Sequence, residues 1–419
     1  MVILIFRNLN HNLKIRLLTS FLQNSIMFSI IPFMSLYLSA YMGVIAAGLY
    51  LIIAVVVNFL ASLIGGHISD VFSKKGIILT NSYVNVLVFL SMTICIYTEQ
   101  RLVTLFSILF ICSQLIYGIM KPAQDAITIE SITEETRREY SVIQYWINNL
   151  SMALGITIGG AVYNNYKSEL FITATAILLI NSIIIKLFLQ DININKIHKS
   201  NESFLINTLN SYKEVYKDKP YVNLVLGLAF VMMAELSMSS YIVVRLKEDF
   251  TTVGFYGFSI DGVKLYSILM IINTFIVISM TFVFSRISQK MSPNQSITIG
   301  VLLYISGYSV MVISSNIYIL IVSMVIATIG ELLYAPAYNS ERIRIIPIDK
   351  RGAYSAVAGF SNKIGNMLSK SALIISAVLA PNFIALYIFL TGIIGLFLIS
   401  NSLFNNKNIN YLENDQTFL

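Results

Sequence analysis

Long apolar runs leave this chain few ways to fold. Ile45–Ile64 and Ile77–Tyr97 are nearly unbroken stretches of hydrocarbon side chains, each long enough as a helix to cross a bilayer. Twelve such runs recur, near residues 17–41, 45–65, 77–98, 102–123, 141–163, 168–189, 221–243, 263–285, 295–314, 316–339, 353–378 and 382–403. Only 12% of the 419 residues are charged and 56% are hydrophobic, against about 25% charged in a soluble protein. No water-facing surface of ordinary polarity can be built from that composition, so lipid is the main solvent. In lipid every backbone polar group is paired internally, which leaves helices or closed barrels. Continuous runs of this length favour helices over the short alternating segments of a barrel. The expected class is an all-α membrane protein.

Positive charge orients the spans. Alternate connections, beginning with the N-terminus, carry Arg7, Lys14 and Arg16, then Lys74 and Lys75, then Lys121, Arg137 and Arg138, and so on to Lys407. The opposite connections hold only Arg101, Lys167, Arg245, Lys247 and Lys264. This bias predicts both termini in the cytoplasm of a multi-pass protein of the cell (plasma) membrane. The formal net charge of +7 therefore reflects topology and makes no case for nucleic acid as a partner. With three histidines and two cysteines, neither in metal-ligand spacing, a metal site is not expected. No cofactor-binding motif is present, and no cofactor is expected.

The chain also repeats itself. At an offset of 214 residues, Pro122-Ala123 aligns with Pro336-Ala337, and Arg137, Tyr140, Ser141 and Asn148 align with Arg351, Tyr354, Ser355 and Asn362. Each block leaves one apolar span, crosses a basic loop and enters the next. Residues 1–190 and 221–419 are thus expected to form two related six-helix bundles, the second ending in a short cytoplasmic tail. They are joined by a polar cytoplasmic linker, 191–220, with one short amphipathic helix on the membrane surface.

Between the second and third spans lies a polar knot, Gly65-Gly66-His67-Ile68-Ser69-Asp70-Val71-Phe72-Ser73-Lys74-Lys75-Gly76. It resembles the loop signature of the major facilitator superfamily of secondary transporters: Gly66, Asp70, Lys74 and Lys75 match. Val71 and Ser73 replace a basic residue and a glycine of that pattern. The resemblance implies twelve transmembrane helices in two pseudo-symmetric six-helix bundles, with a substrate site near the midplane. It also implies a gating role for Gly66, Asp70, Lys74 and Lys75, with Asp70 accepting bonds from a helix N-terminus of the other half. A plain helix-start cap is the other reading of Asp70.

Several residues within the spans could carry chemistry. Glu331 is about fifteen residues from the outer end of the tenth span, roughly 22 Å deep. A carboxylate at that depth is costly and marks an ion or proton pathway by default; the other reading is an acid that only bonds a neighbouring helix. Glu235 sits in Met232-Met233-Ala234-Glu235. A methionine-rich wall that includes Met233 suits a cavity repacking around varied apolar ligands, or merely fills a core. Asp125, near the inner end of the fourth span, is a further acid for proton coupling. Lys363 lies near mid-bilayer and has to pair or face water, with Glu331 as a candidate partner. Lys370 is nearer the outer end and can snorkel. Gly155, Gly159 and Gly160 read as a packing face. Gln144-Tyr145-Trp146 enters the fifth span as an interfacial anchor or as a cavity wall.

Scattered strings from Asn8–Leu18 to Gly352–Val357 are similar to proton-coupled multidrug antiporters within that superfamily. By that resemblance Arg16, Asp70 and Glu331 fall on charged positions of importance. Gln144 replaces an acid of those relatives and cannot titrate, so any proton coupling uses fewer or relocated carboxylates. The reading is a secondary active transporter, not an enzyme: proton-coupled efflux of small amphipathic substrates by alternating access, working as a monomer in the lipid bilayer. Its cavity would include Arg16, Gln144, Tyr145, Trp146, Met233, Glu235, Glu331 and Lys363. An importer or lipid-linked flippase of the same fold is the alternative, and a polytopic membrane enzyme or receptor a remote one.

Overall fold

A computed structural model of the chain describes residues 9–98, 102–191, 213, 215–255, 258–347 and 351–416. It divides into two compact units, Met1–Asn201 and Glu202–Leu419. Most of the expected linker lies outside the described residues; Lys213 and residues 215–217, just before the second unit's first long helix, are helical.

The first unit holds α1 (His11–Val71), α2 (Lys74–Tyr97), α3 (Val103–Ser131), α4 (Glu134–Val162) and α5 (Lys167–Phe188). Two expected spans share α1, broken at Gly43, where φ is 78° and ψ 160°. A side chain is strained at that φ. A Cβ at Gly43 would meet no neighbour, so the backbone conformation, not space, calls for glycine. Local chemistry starts the other helices. Ser73 accepts from the Gly76 amide at 3.0 Å, and Thr133 and Thr136 form a reciprocal capping box. α1 packs on α3, α4 and α5, and α2 on α3 and α5. The α1–α4 contact is close: a Cβ at Gly155 would lie 2.5 Å from the Ser25 carbonyl oxygen. The packing reading of that glycine face is what these approaches describe.

The second unit runs α6 (Lys219–Leu236), a π turn (Met238–Ile242), α7 (Val243–Asp249), a two-stranded hairpin, α8 (Gly262–Gln289), α9 (Pro293–Ile313), α10 (Ile317–Ile345), α11 (Arg351–Ala358), α12 (Phe360–Ile375) and α13 (Pro381–Gln416). The hairpin pairs β1 (Val253–Phe255) with β2 (Phe258–Ile260), antiparallel, with Gly254 opposite Ser259. α6 packs on α12 and α13, and α10 on α8 and α9. Pro122 and Pro336, the mark of the repeat, both sit inside helices, α3 and α10; each removes one backbone donor from its helix.

Two clamps tie this unit together. At the start of α6, Tyr354 donates to Asp218 at 2.9 Å and Tyr221 donates to the Tyr354 carbonyl at 2.7 Å. At the other end, the buried Arg245 of α7 donates to the carbonyls of Ile313 at 2.7 Å and Ser314 at 3.0 Å. Met311 O and Ser315 Oγ lie at 3.5 and 3.4 Å, and Asp249 pairs with Nε at 3.2 Å. A guanidinium there satisfies carbonyls that α9 cannot pair internally and meets its negative dipole end.

Among the described residues nine helices are long and apolar enough to cross a membrane. The 59-residue stretch His11–Ser69 counts as one of them. α4 falls outside the nine because it carries Gln144, Asn148 and Asn149, and α12 because it is only 16 residues long. Large apolar side chains such as Leu87, Phe275 and Phe397 are exposed on the outer faces of α2, α8 and α13, where lipid rather than water suits them.

Candidate functional site

Two of the carboxylates singled out in the sequence, Glu235 and Glu331, lie in the second unit. Glu331 of α10 accepts from Asn273 Nδ2 of α8 at 3.2 Å, and the same amide donates to Thr328 Oγ1 at 3.1 Å. Thr328 in turn donates to the Met324 carbonyl one turn back. Glu235 of α6 accepts from the hydroxyl of Tyr304 of α9 at 2.7 Å. The two glutamates lie near enough to feel each other's charge, as do Tyr304, Tyr308 and Tyr334. Tyr304 packs edge-on against Tyr308 and Tyr334, with ring centroids 5.0 and 5.2 Å apart. Four elements thus hold two carboxylates in a wall of phenols and amides. Met233 is fully buried beside Glu235 on α6. Lys363 is half-buried on α12.

Glu235 is followed within one turn by the π segment. The Ile242 amide reaches the Ser237 carbonyl at 2.9 Å, five residues back. Ser240 Oγ donates across to the Ser369 carbonyl of α12 at 2.9 Å. Such wide turns gather at functional sites. Next to Ser369, Lys370 is 7% exposed, so the lysine expected to snorkel is buried instead.

The first unit has a polar cavity of about 430 Å³ lined by residues of α1, α3 and α4. Arg16, Asp125 and Gln144 line it, as do Gln23, Lys121 and Asn148. Tyr140 donates to Gln144, which donates to Asn148, both at 2.8 Å. Asn24 also donates to Asn148 at 3.2 Å, and Gln124 to Gln23 at 3.0 Å. Asp125 pairs with Lys121 at 2.5 Å, one turn away on α3. Arg16 is buried; its Nη1 reaches Thr19 Oγ1 at 3.4 Å, and its Nε has no hydrogen-bond partner among the described residues. Tyr145 and Trp146 are exposed and do not line this cavity.

The polar knot reads as a loop in sequence, but α1 continues through it to Val71 and α2 resumes at Lys74. Gly65 is the close approach: a Cβ there would lie 2.5 Å from the Ile119 carbonyl oxygen, whereas one at Gly66 would meet nothing. Lys74 pairs with Glu130 of α3 at 2.9 Å. Asp191, just past α5, accepts from the Ser73 hydroxyl and from the Lys75 amide, so a carboxylate sits on the α2 N-terminus. The side chain of Asp70 lies outside the described residues.

Sequence reasoning missed Tyr304 and Asn273, the donors to the two glutamates, and Thr328, which accepts from Asn273. Among the described residues no group of three or more His, Cys, Asp or Glu side chains is arranged to hold a metal ion.

The profile of the Major Facilitator Superfamily matches residues 16–369. A Na(+), Li(+), K(+)/H(+) antiporter of Planococcus maritimus is 23% identical over 377 residues, covering 86% of this chain and 88% of that one. An uncharacterized MFS-type transporter of Bacillus subtilis (strain 168), YqjV, is 22% identical over 340 residues, covering 81% and 79%. Among solved structures, a POT family transporter in complex with a thioalcohol-conjugated peptide superposes with a TM-score of 0.71 at 16% identity, covering 95% of this chain and 99% of that one. A mutant of the nucleoside transporter NupG gives 0.71 at 11% identity, covering 94% and 100%. At these identities the superpositions speak for the fold alone.

Proposed function

This chain belongs to the Major Facilitator Superfamily, and we propose that it is a proton-coupled antiporter that exports small amphipathic molecules by alternating access. It is a membrane transporter and not an enzyme. One observation carries the coupling: Glu235 and Glu331 sit together within the helices of the second unit, each held by a neutral hydrogen-bond donor. A carboxylate within a span is an ion or proton site by default. On this reading the pair takes up a proton from the outer side and gives it up to the inner side as substrate leaves. Its resemblance to the proton-coupled multidrug antiporter LmrP supports the same direction of transport.

The rest of the proposal follows the family. Twelve spans form two six-helix bundles, residues 1–190 and 221–419, joined by a cytoplasmic linker at 191–220, with both termini in the cytoplasm. Gly66, Asp70, Lys74 and Lys75 serve the cytoplasmic gate, and Arg16, Gln144, Tyr145, Trp146, Met233 and Lys363 serve the substrate path. Asp125 is the least supported coupling acid, because Lys121 already holds it. The protein works as a monomer in the plasma membrane.

A second reading is exchange of a monovalent cation for protons. The oxygen-bearing set of Glu235, Glu331, Thr328 and Tyr304 favours it, since hard cations take oxygen ligands, and so does the relative named as a Na(+), Li(+), K(+)/H(+) antiporter. Proteoliposomes holding a pH-sensitive dye separate the two. Proton movement driven by lipophilic compounds but not by Na⁺, Li⁺ or K⁺ supports export of amphiphiles. Movement driven only by the salts supports the second reading, and movement with neither overturns both.

A further inference from the structure

Resting on the export reading, we infer that the polar cavity of the first unit receives a carboxylate of the transported molecule on Arg16, so that the preferred amphiphile carries an acidic group. Arg16 is 4% exposed, and its Nε has no partner among the described residues. Its Nη1 contact to Thr19, at 3.4 Å, is at the outer limit of hydrogen bonding. A buried donor left open is costly, and a buried guanidinium calls for a matching anion. The carboxylate nearest in chemistry, Asp125, bears on Arg16 electrostatically but is already held by Lys121 at 2.5 Å. Lys121 and Asp125 offset each other's charge, and Arg16 leaves the described lining with one net positive charge.

The lining also suits an acidic head group rather than an amine. Gln144 and Asn148 are chained through their carbonyl oxygens, each accepting from a neighbour. That chain spends acceptors, whereas the Asn148 amide nitrogen makes no hydrogen bond among the described residues. A planar carboxylate in the cavity can take two N–H groups of the guanidinium fork together, a bidentate fit that a lysine cannot offer. The cavity of about 430 Å³ is within the usual size of a small-molecule site. An ammonium entering the same space would meet Arg16 as a like charge.

Three probes with one fluorophore and different charge test this: dansylglycine, its methyl ester and dansylcadaverine. Binding to the purified full-length chain in nanodiscs, with no proton gradient, is read by dansyl emission. The acid is expected to bind at least about tenfold more tightly than the ester, the scale of one charge-assisted hydrogen bond. Dansylcadaverine should bind more weakly than either. Arg16→Gln should erase the preference for acid over ester; Arg16→Lys keeps the charge without the fork and should retain part of it. Equal binding of acid and ester to the unmodified protein overturns the inference with no variant needed. So does an undiminished acid preference in monodisperse Arg16→Gln. An Arg16-dependent acid preference without substrate-driven proton movement would sink only the coupling reading.

Discussion

Replacing Arg245 by methionine removes the guanidinium and keeps an unbranched, apolar side chain. Two of the Arg245 contacts are short, 2.7 and 3.0 Å to Ile313 O and Ser314 O. Two more, at 3.4 and 3.5 Å, are at the edge of range and are left out of the count. At ~1.5 kcal/mol each, the lower end for a charged donor, the short pair contributes about 3 kcal/mol. At roughly 2–4 °C per kcal/mol for a unit of this size, Arg245→Met should lower Tm by about 6–12 °C. Asp249 is the internal contrast. Its side chain is 50% exposed, and a solvated ion pair is worth ~1 kcal/mol at most. Asp249→Asn should therefore cost no more than about 4 °C. The measurement is the fraction of monodisperse protein left after stepwise heating in detergent, followed by size-exclusion chromatography. Trp146 emission will not serve, because the chain's single tryptophan is in the first unit. A Tm for Arg245→Met within about 2 °C of the unmodified protein, or an equal loss in Asp249→Asn, would refute the reasoning.

Glu331→Gln fixes the neutral form of that side chain; uphill, proton-driven export should stop while downhill exchange survives, and normal uphill rates in proteoliposomes would remove Glu331 from the coupling. Asp70→Asn should abolish transport with substrate binding retained and shift spin-label distances across the cytoplasmic side; normal transport with unchanged distances would leave Asp70 a helix cap. In a background lacking Cys95 and Cys112, Thr252→Cys should react with an impermeant thiol reagent on intact cells and Asn201→Cys should not, and the reverse pattern would invert the orientation.

The apolar runs are legible in sequence because lipid imposes a single requirement, backbone pairing within the segment, on some twenty residues at a time. Glu331 stands out for the same reason: a carboxylate in such a run has no ordinary explanation. What holds it is not legible. Tyr304 reaches Glu235 across 69 residues of chain and Asn273 reaches Glu331 across 58, and neither pairing leaves a periodic trace. Arg245 reads as one more outer charge, although its carbonyl partners lie on another helix. The break at Gly43 is legible as the gap between the runs 17–41 and 45–65, whereas that a single glycine with φ of 78° makes it, inside α1, is not. Gln144 and Asn148 are one helical turn apart, so their shared face is visible in advance. That this face meets Arg16 depends on α4 lying close along α1 through Gly155 and Gly159.

The wide turn after Glu235 has a mechanical consequence. A π turn stores one residue more than an α turn of the same hydrogen-bonded ladder. If the Ile242 amide were to trade the Ser237 carbonyl for Met238, that surplus residue would pass along the helix. Each step of such a transfer turns one part of the helix against the rest by about 100° and advances it by roughly 1.5 Å. The helix carrying Glu235 therefore has slack built in beside its carboxylate. It can swivel that group toward or away from Tyr304 while its far end stays pinned by Arg245, much as a sliding pleat lets cloth turn without moving its hem.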